Sequence, residues 1–124
     1  MSKRVKTMKI GEIEHKLRLQ PITPDIPARK NSSVTMGHSS DLMSDVLANA
    51  PAGGVLVTIQ THINVIAVSV HAGLTAVIFS SGMMPEERVI KRAVEEGLLL
   101  FVSDDSTFNI VGKLYALGIR GSKG

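Results

Sequence analysis

The chemistry available to this 124-residue sequence is narrow: four histidines, 11 carboxylates, a few hydroxyl-bearing loops and no cysteine. Without cysteine there is no thiolate nucleophile, no disulfide framework and no zinc knuckle. His15, His38, His62 and His71 show neither H-x-H nor H-x-x-x-H, spacings that place two imidazoles on one metal. His62 suits a general base or a phosphate contact, and equally an ordinary part-exposed histidine at a helix start. His71 falls at a helix end, where a cation is favoured. Asp104-Asp105 is a magnesium-type pair without a third ligand, and helix-start charge is the plainer reading. Nucleotide and hydrolase signatures are absent. Gly112-Lys113 is followed by Leu114, and Thr107 stands where a P-loop needs its first glycine. Neither G-x-S-x-G nor G-x-G-x-x-G occurs, and the acidic constellation of a receiver domain is not laid out.

What remains is a set of polar groups that each follow an apolar run. They are Gln60-Thr61-His62, Ser80-Ser81-Gly82 and residues 103–107, which include Asp104, Ser106 and Thr107; Gly37-His38 is a fourth contributor. Hydroxyls, free backbone N–H groups and positive helix ends suit a phosphate or carboxylate. Thr61, Ser81 and Ser106 are also ordinary helix-capping residues, and that simpler role stands beside the ligand role.

The elements that hold these groups read as a strand–helix alternation. Residues 55–59, 75–79 and 98–102 are apolar on both faces, as strands covered on both sides are. Each is followed by a helix, over 63–72, from Pro85 to Gly97, and over 108–117. Pro85 is expected at the first helical position, with Glu86 and Glu87 in the first turn and Val89, Ile90, Ala93 and Val94 as the apolar stripe. Ile110, Val111, Leu114 and Leu117 give the last helix its inner face. Upstream, Ile10, Ile13 and Leu17 predict a short helix. Residues 20–30 carry Pro21, Pro24 and Pro27 and predict an extended connector, neither helix nor central strand. Residues 34–36 form a short strand ending in a Gly37-His38-Ser39-Ser40 loop. A helix over 41–50 is capped by Ser40, with Leu42, Met43, Val46, Leu47 and Ala50 on one face. The alternation predicts an α/β fold: a three-layer sandwich with a mostly parallel sheet, βα repeats and helices on both faces. In such sheets ligands bind outside the carboxyl ends of the strands, where the polar groups fall.

Composition limits the partners. A length of 124 residues predicts one domain, and the 44% hydrophobic and 20% charged fractions are those of a globular chain. The net charge of +3 is misleading. Lys3, Arg4, Lys6 and Lys9 lie at one end, and Arg120 and Lys123 at the other. Setting them aside leaves eight basic against 11 acidic side chains, about −3 for residues 10–119. Residues 1–9 and 120–124 are therefore expected to be basic, mobile ends, and no nucleic-acid face is predicted; only 3% of residues are aromatic. The first residues lack the apolar stretch of a signal peptide. Gln60, His62, Asn64 and His71 interrupt residues 55–79 too often for a membrane span. A cytoplasmic location is the expectation.

The run AVIFSSGMMPEERVIKRAVEEGLLLFVSDDSTFNIVGKL, with TIQTHINVIAVSVHAG before it, resembles the DRTGG domain family. It resembles the N-terminal domain of HPr kinase/phosphorylase less closely. Strand, small-residue loop, proline, acidic helix, strand and a D-x-x-T-F helix start carry the resemblance, over roughly residues 34–119. The family's Asp-Arg and Thr-Gly-Gly fall at Thr61-His62 and Ser80-Ser81-Gly82, where only Gly82 matches. The resemblance implies a three-layer α/β domain that dimerises and regulates without catalysing, often beside nucleotide-sensing CBS domains. It gives no kinase activity, since the catalytic P-loop domain has no counterpart. The combined expectation is a non-catalytic, homodimeric, ligand-sensing domain without a required cofactor or metal. Its regulatory ligand is a small anionic metabolite or adenine nucleotide. Stand-alone domains of this size, which resemble those beside iron-only hydrogenase systems, suggest an alternative: an accessory subunit docked on a redox complex. A hydrolase or transferase using His62 with Asp104 is the third and weakest reading.

Overall fold

The computed structural model describes residues 7–24 and 26–122. In chain order the elements are β1 (Met8–Lys9), α1 (Ile10–Leu17), β2 (Gln20–Pro21), α2 (Pro27–Lys30), β3 (Ser33–Val34) and β4 (Gly37–Ser39). They continue as α3 (Met43–Asn49), β5 (Val55–Thr58), α4 (Asn64–His71), β6 (Ala76–Phe79), α5 (Glu87–Glu96), β7 (Leu99–Val102) and α6 (Thr107–Ala116). The main sheet runs β2-β7-β6-β5-β4, with β4 to β7 parallel and β2 antiparallel at the edge. β1 and β3 form a separate two-stranded pair.

The strand runs are apolar on both faces because both faces are covered. Val55, Val57, Ala76, Ile78, Leu99 and Phe101 pack with Ile10, Ile13 and Leu17 of α1 and Ile110 and Leu114 of α6. The alternate residues Leu56, Val77, Phe79, Leu100 and Val102 pack with Val46 of α3, Val65 and Ile66 of α4, and Val89 and Ala93 of α5. Period-two alternation thus sends successive strand residues into two cores, and the three-layer α/β fold follows. Gly54 lets β5 start beneath β4: a Cβ there would stand 2.9 Å from the carbonyl oxygens of Met36 and Pro51.

Several local expectations are corrected. The proline-rich segment contributes an edge strand and a helical turn. Pro27 opens α2, a first-turn position where its missing N–H needs no partner. Pro21 sits in β2, at the edge of the sheet, opposite Phe101. Gly37-His38-Ser39, expected as loop, is strand β4, in register with Val55, Leu56 and Val57. Its far side is held by the C-terminal segment, as Gly37 N–H donates to the Arg120 carbonyl and Arg120 N–H to that of Thr35. Helix α3 starts at Met43, with Leu42 extended before it, so Leu42 is out of helical phase and exposed. The Ser40 hydroxyl accepts from Leu42 N–H at 3.2 Å, which makes a turn ahead of the helix instead of a cap. Pro85 precedes α5, whose N-cap is Glu86. Leu47, Val94 and Val111 are exposed where an inward stripe was expected. Each follows a core residue (Val46, Ala93, Ile110) and is rotated about 100° from it round the helix.

Of the basic ends, Met8–Lys9 pair with β3 and Met8 is buried. Arg120 forms a parallel bridge with Met36, and its guanidinium lies 3.7 Å from the Tyr115 ring centroid. The remaining basic residues of these ends lie outside the described residues. Among the described residues no helix is long and apolar enough to cross a membrane.

Candidate functional site

The carboxyl ends of β4 to β7 lie along one edge of the sheet, so the loops that follow them meet there. The loop after β5 is anchored by Asp41. One of its carboxylate oxygens accepts from the Thr58 hydroxyl at 2.8 Å and from Ile59 N–H at 2.9 Å. Thr58 then accepts from Gln60 N–H at 3.0 Å. The Gln60 side-chain carbonyl accepts from His62 N–H, and His62 Nδ1 accepts from Asn64 N–H at 3.1 Å. His62 therefore uses one ring nitrogen in a turn just ahead of α4 and stays exposed. Thr61, a candidate cap, lies outside that chain of bonds, part-exposed.

The loops after β6 and β7 are joined by their backbones. Ser81 N–H donates to the Asp105 carbonyl at 2.7 Å, and Gly82 N–H to the Ser103 carbonyl at 2.8 Å. Ser81 and Gly82 both have left-handed backbone, φ 57° and 68°. The Ser80 hydroxyl is fully buried and hydrogen-bonded to that of Thr107, which ties the end of β6 to the start of α6. Ser106 is the α6 cap, accepting from Asn109 N–H at 3.1 Å. The Asp105 carboxylate accepts from Ser106 N–H, the Asn109 amide and Lys113, the last at 2.7 Å. The Lys113 hydrogen bond, with that of Asn109 behind it, holds the Asp105 carboxyl below the ordinary carboxylate range. Asp104 is exposed beside Gly82. Among the described residues no cluster of three or more histidines and carboxylates is placed for a metal ion.

Gln60, Thr61, His62, Ser80, Ser81, Gly82, Asp104, Ser106 and Thr107 are thus brought to one edge. Gly37 and His38 are not with them. Gly37 lies opposite Val55, at the start of β5, and the His38 ring turns to α3, its Nε2 2.7 Å from Asp45. Asp45 also accepts from the Asn49 amide at 2.8 Å. On the other face of β4 is a cleft of about 200 Å³, lined by Gly37, Val57, Val111, Tyr115, Ile119 and Arg120 among others.

Of two further features of this edge, the first escapes sequence reasoning and the second is legible only at the exposed Met83-Met84 pair. Asp41 reaches Thr58 from 17 positions away, and no spacing rule signals that contact. The edge is also rimmed by exposed apolar side chains: Leu42, Ile59, Met83, Met84 and Phe108. A signal existed for Met83-Met84, which stand apolar in an otherwise polar loop.

No protein-family model matches the chain, and no curated protein matches it in sequence. Its fold is similar to a crystal structure of the CBS and DRTGG domains from the regulatory region of Clostridium perfringens pyrophosphatase, complexed with the activator diadenosine tetraphosphate. The TM-score is 0.69 at 11% sequence identity, over 85% of this chain. The match spans 45% of that chain, less than half its length. What the two proteins share is a CBS/DRTGG-like α/β fold.

Proposed function

We propose that this chain is a non-catalytic regulatory domain that forms a homodimer and binds a small anionic metabolite or adenine nucleotide at the carboxyl edge of its sheet. The observation that carries the reading is that the loops after β5, β6 and β7 lie at one edge, those after β6 and β7 hydrogen-bonded to each other, with Ser81 and His62 exposed there. Hydroxyls and helix starts at a strand-end edge are the ordinary means of holding a phosphate. The likeness to a regulatory region crystallised with a dinucleotide activator is in keeping with it. Asp105 serves loop structure in this reading, Asp104 stays exposed at the edge, and no proton transfer is assigned to His62.

Thermal unfolding of the purified protein against adenine nucleotides, dinucleotides and phosphosugars tests it. A ligand at a hundred times its Kd stabilises by about 2.7 kcal/mol, a shift of several degrees in a domain of this size. The expected result is a shift with one nucleotide class that His62→Ala or Ser81→Ala abolishes. A flat response across the panel overturns the ligand.

The apolar rim favours a second reading, an accessory subunit that docks a protein partner at this edge and binds no metabolite. Five large exposed apolar side chains along one edge are more than scattered surface residues. Co-purification of the endogenous protein with oxidoreductase subunits, lost on Met84→Asp, is its expected sign.

A further inference from the structure

Helix α6 carries an outward apolar stripe that the rest of the chain covers only in part, with the Arg120 guanidinium over the Tyr115 ring. Phe108 is 87% exposed, Tyr115 57% and Val111 37%, and these residues with Gly112 lie on one helical face. Gly112 is bare: a Cβ there would meet nothing within 4 Å. The stripe borders the 200 Å³ cleft, because Val111 and Tyr115 line both. An exposed aromatic side chain therefore stands one turn along the helix from a hollow of aromatic-ring size.

We infer that α6 is the homodimer interface, two copies packing antiparallel about a two-fold axis near Val111 and Gly112. This names the surface for the homodimer proposed above and rests on that reading. Three features select a second copy as the occupant. Phe108 and Tyr115 are equidistant from the midpoint between Val111 and Gly112, so the two-fold sets each Phe108 against the partner's Tyr115 and the cleft beside it. Gly112 at the axis lets the helices approach closely. The charges also match: antiparallel pairing opposes the helix dipoles and brings exposed Asp104, before one α6, towards Arg120, after the other, whose guanidinium lies over Tyr115 and donates to the Tyr115 carbonyl. Asp105 and Lys113 are already paired with each other and leave no net charge on that flank. Fully burying an aromatic removes about 150–250 Å² from water, so two Phe108 and two Tyr115, already partly covered, remove on the order of 600 Å² in all, well under the roughly 1,200 Å² of standard interfaces. The dimer is a weak, concentration-dependent one.

The sequence has no cysteine, which makes a direct test simple. Gly112→Cys in the full chain adds a thiol at the axis, and mild oxidation is expected to give a disulfide-linked dimer. Lys91→Cys, exposed on α5 across the sheet from α6, is expected to give none. Sedimentation from micromolar to submillimolar concentration should show the unmodified chain associating, and Phe108→Ser weakening association about tenfold or more. Phe108 makes so little contact within the chain that its loss leaves folding intact, which circular dichroism verifies. Association that persists in Phe108→Ser, with no cross-link at Gly112→Cys, places the dimer on another face and overturns this inference alone. A monomer at all concentrations overturns both it and the homodimer of the proposed function.

Discussion

Asp41 holds Thr58 from outside the sheet: its carboxylate accepts the Thr58 hydroxyl at 2.8 Å while the same oxygen takes Ile59 N–H at 2.9 Å. Thr58 is fully buried, so its hydroxyl depends on this exposed carboxylate for an acceptor. Removing one member of such a pair leaves a buried polar group unmatched, at about 1–3 kcal/mol. Asp41→Ala is expected to lower Tm by several degrees, and Asp41→Asn by less, since the amide oxygen still accepts. Adding Thr58→Val to Asp41→Ala should recover part of the loss, because the orphaned hydroxyl is gone. Purely additive losses would show that the two residues are not coupled.

His38 and Asp45 make the chain acid-sensitive in a defined range. The hydrogen bond from His38 Nε2, then those from Asn49 and Ser40, hold the Asp45 carboxyl down at about 2 against an ordinary 3.8. A carboxylate depressed in the folded state adds stability that is complete above its unfolded value, and loses it as pH falls through the folded value. The Asp45 contribution is therefore whole above about pH 4 and lost between there and about pH 2. Acid-unfolding curves should be flatter over that interval for Asp45→Asn than for the unmodified chain. In His38→Phe, NMR titration of the Asp45 carboxyl should return its midpoint towards 3.8. A midpoint that stays near 2 would assign the depression to Asn49 and Ser40 instead.

The strand runs were legible because their burial is written in composition: Val55–Thr58, Ala76–Phe79 and Leu99–Val102 are apolar on both faces and buried on both. Gly97 and Gly73 marked helix ends because both adopt left-handed backbone there. Strand β4 was illegible for the opposite reason. Gly37-His38-Ser39 has no strand preference of its own, and becomes strand between β5 and the segment at Arg120, both far along the chain. The site was legible as loops and illegible as contacts. Ser80, Ser81 and Ser106 read alike as hydroxyl residues, yet one is buried against Thr107, one is held left-handed and one caps α6.

Ser69 tests a different kind of mismatch. It is fully buried in α4, and its hydroxyl has no hydrogen-bond partner among the described residues. An unmatched buried hydroxyl costs about 1–3 kcal/mol, and alanine is the better helix former. Ser69→Ala is expected to raise Tm by several degrees in thermal unfolding. A lowered Tm would mean that the hydroxyl is satisfied in solution, by a water held between α4 and its neighbours.

Ser81 is the residue where local strain meets the candidate site. Left-handed backbone costs a residue with a Cβ about 1–2 kcal/mol, and Ser81 adopts it with φ 57°. The loop holds it there, through Ser81 N–H on the Asp105 carbonyl and Gly82 N–H on the Ser103 carbonyl. Ser81 and the following Gly82 both keep the left-handed backbone that glycine suits. Ser81→Gly relieves the strain and adds unfolded-state freedom, so its stability should match or exceed that of the unmodified chain by up to about 1 kcal/mol. Ser81→Val should lose more than about 1 kcal/mol, because a β-branched side chain is a true outlier in this conformation. Denaturant midpoints for the pair give the answer. Equal midpoints for the valine and glycine variants would mean that the loop abandons the left-handed turn, and with it the backbone link between the β6 and β7 loops.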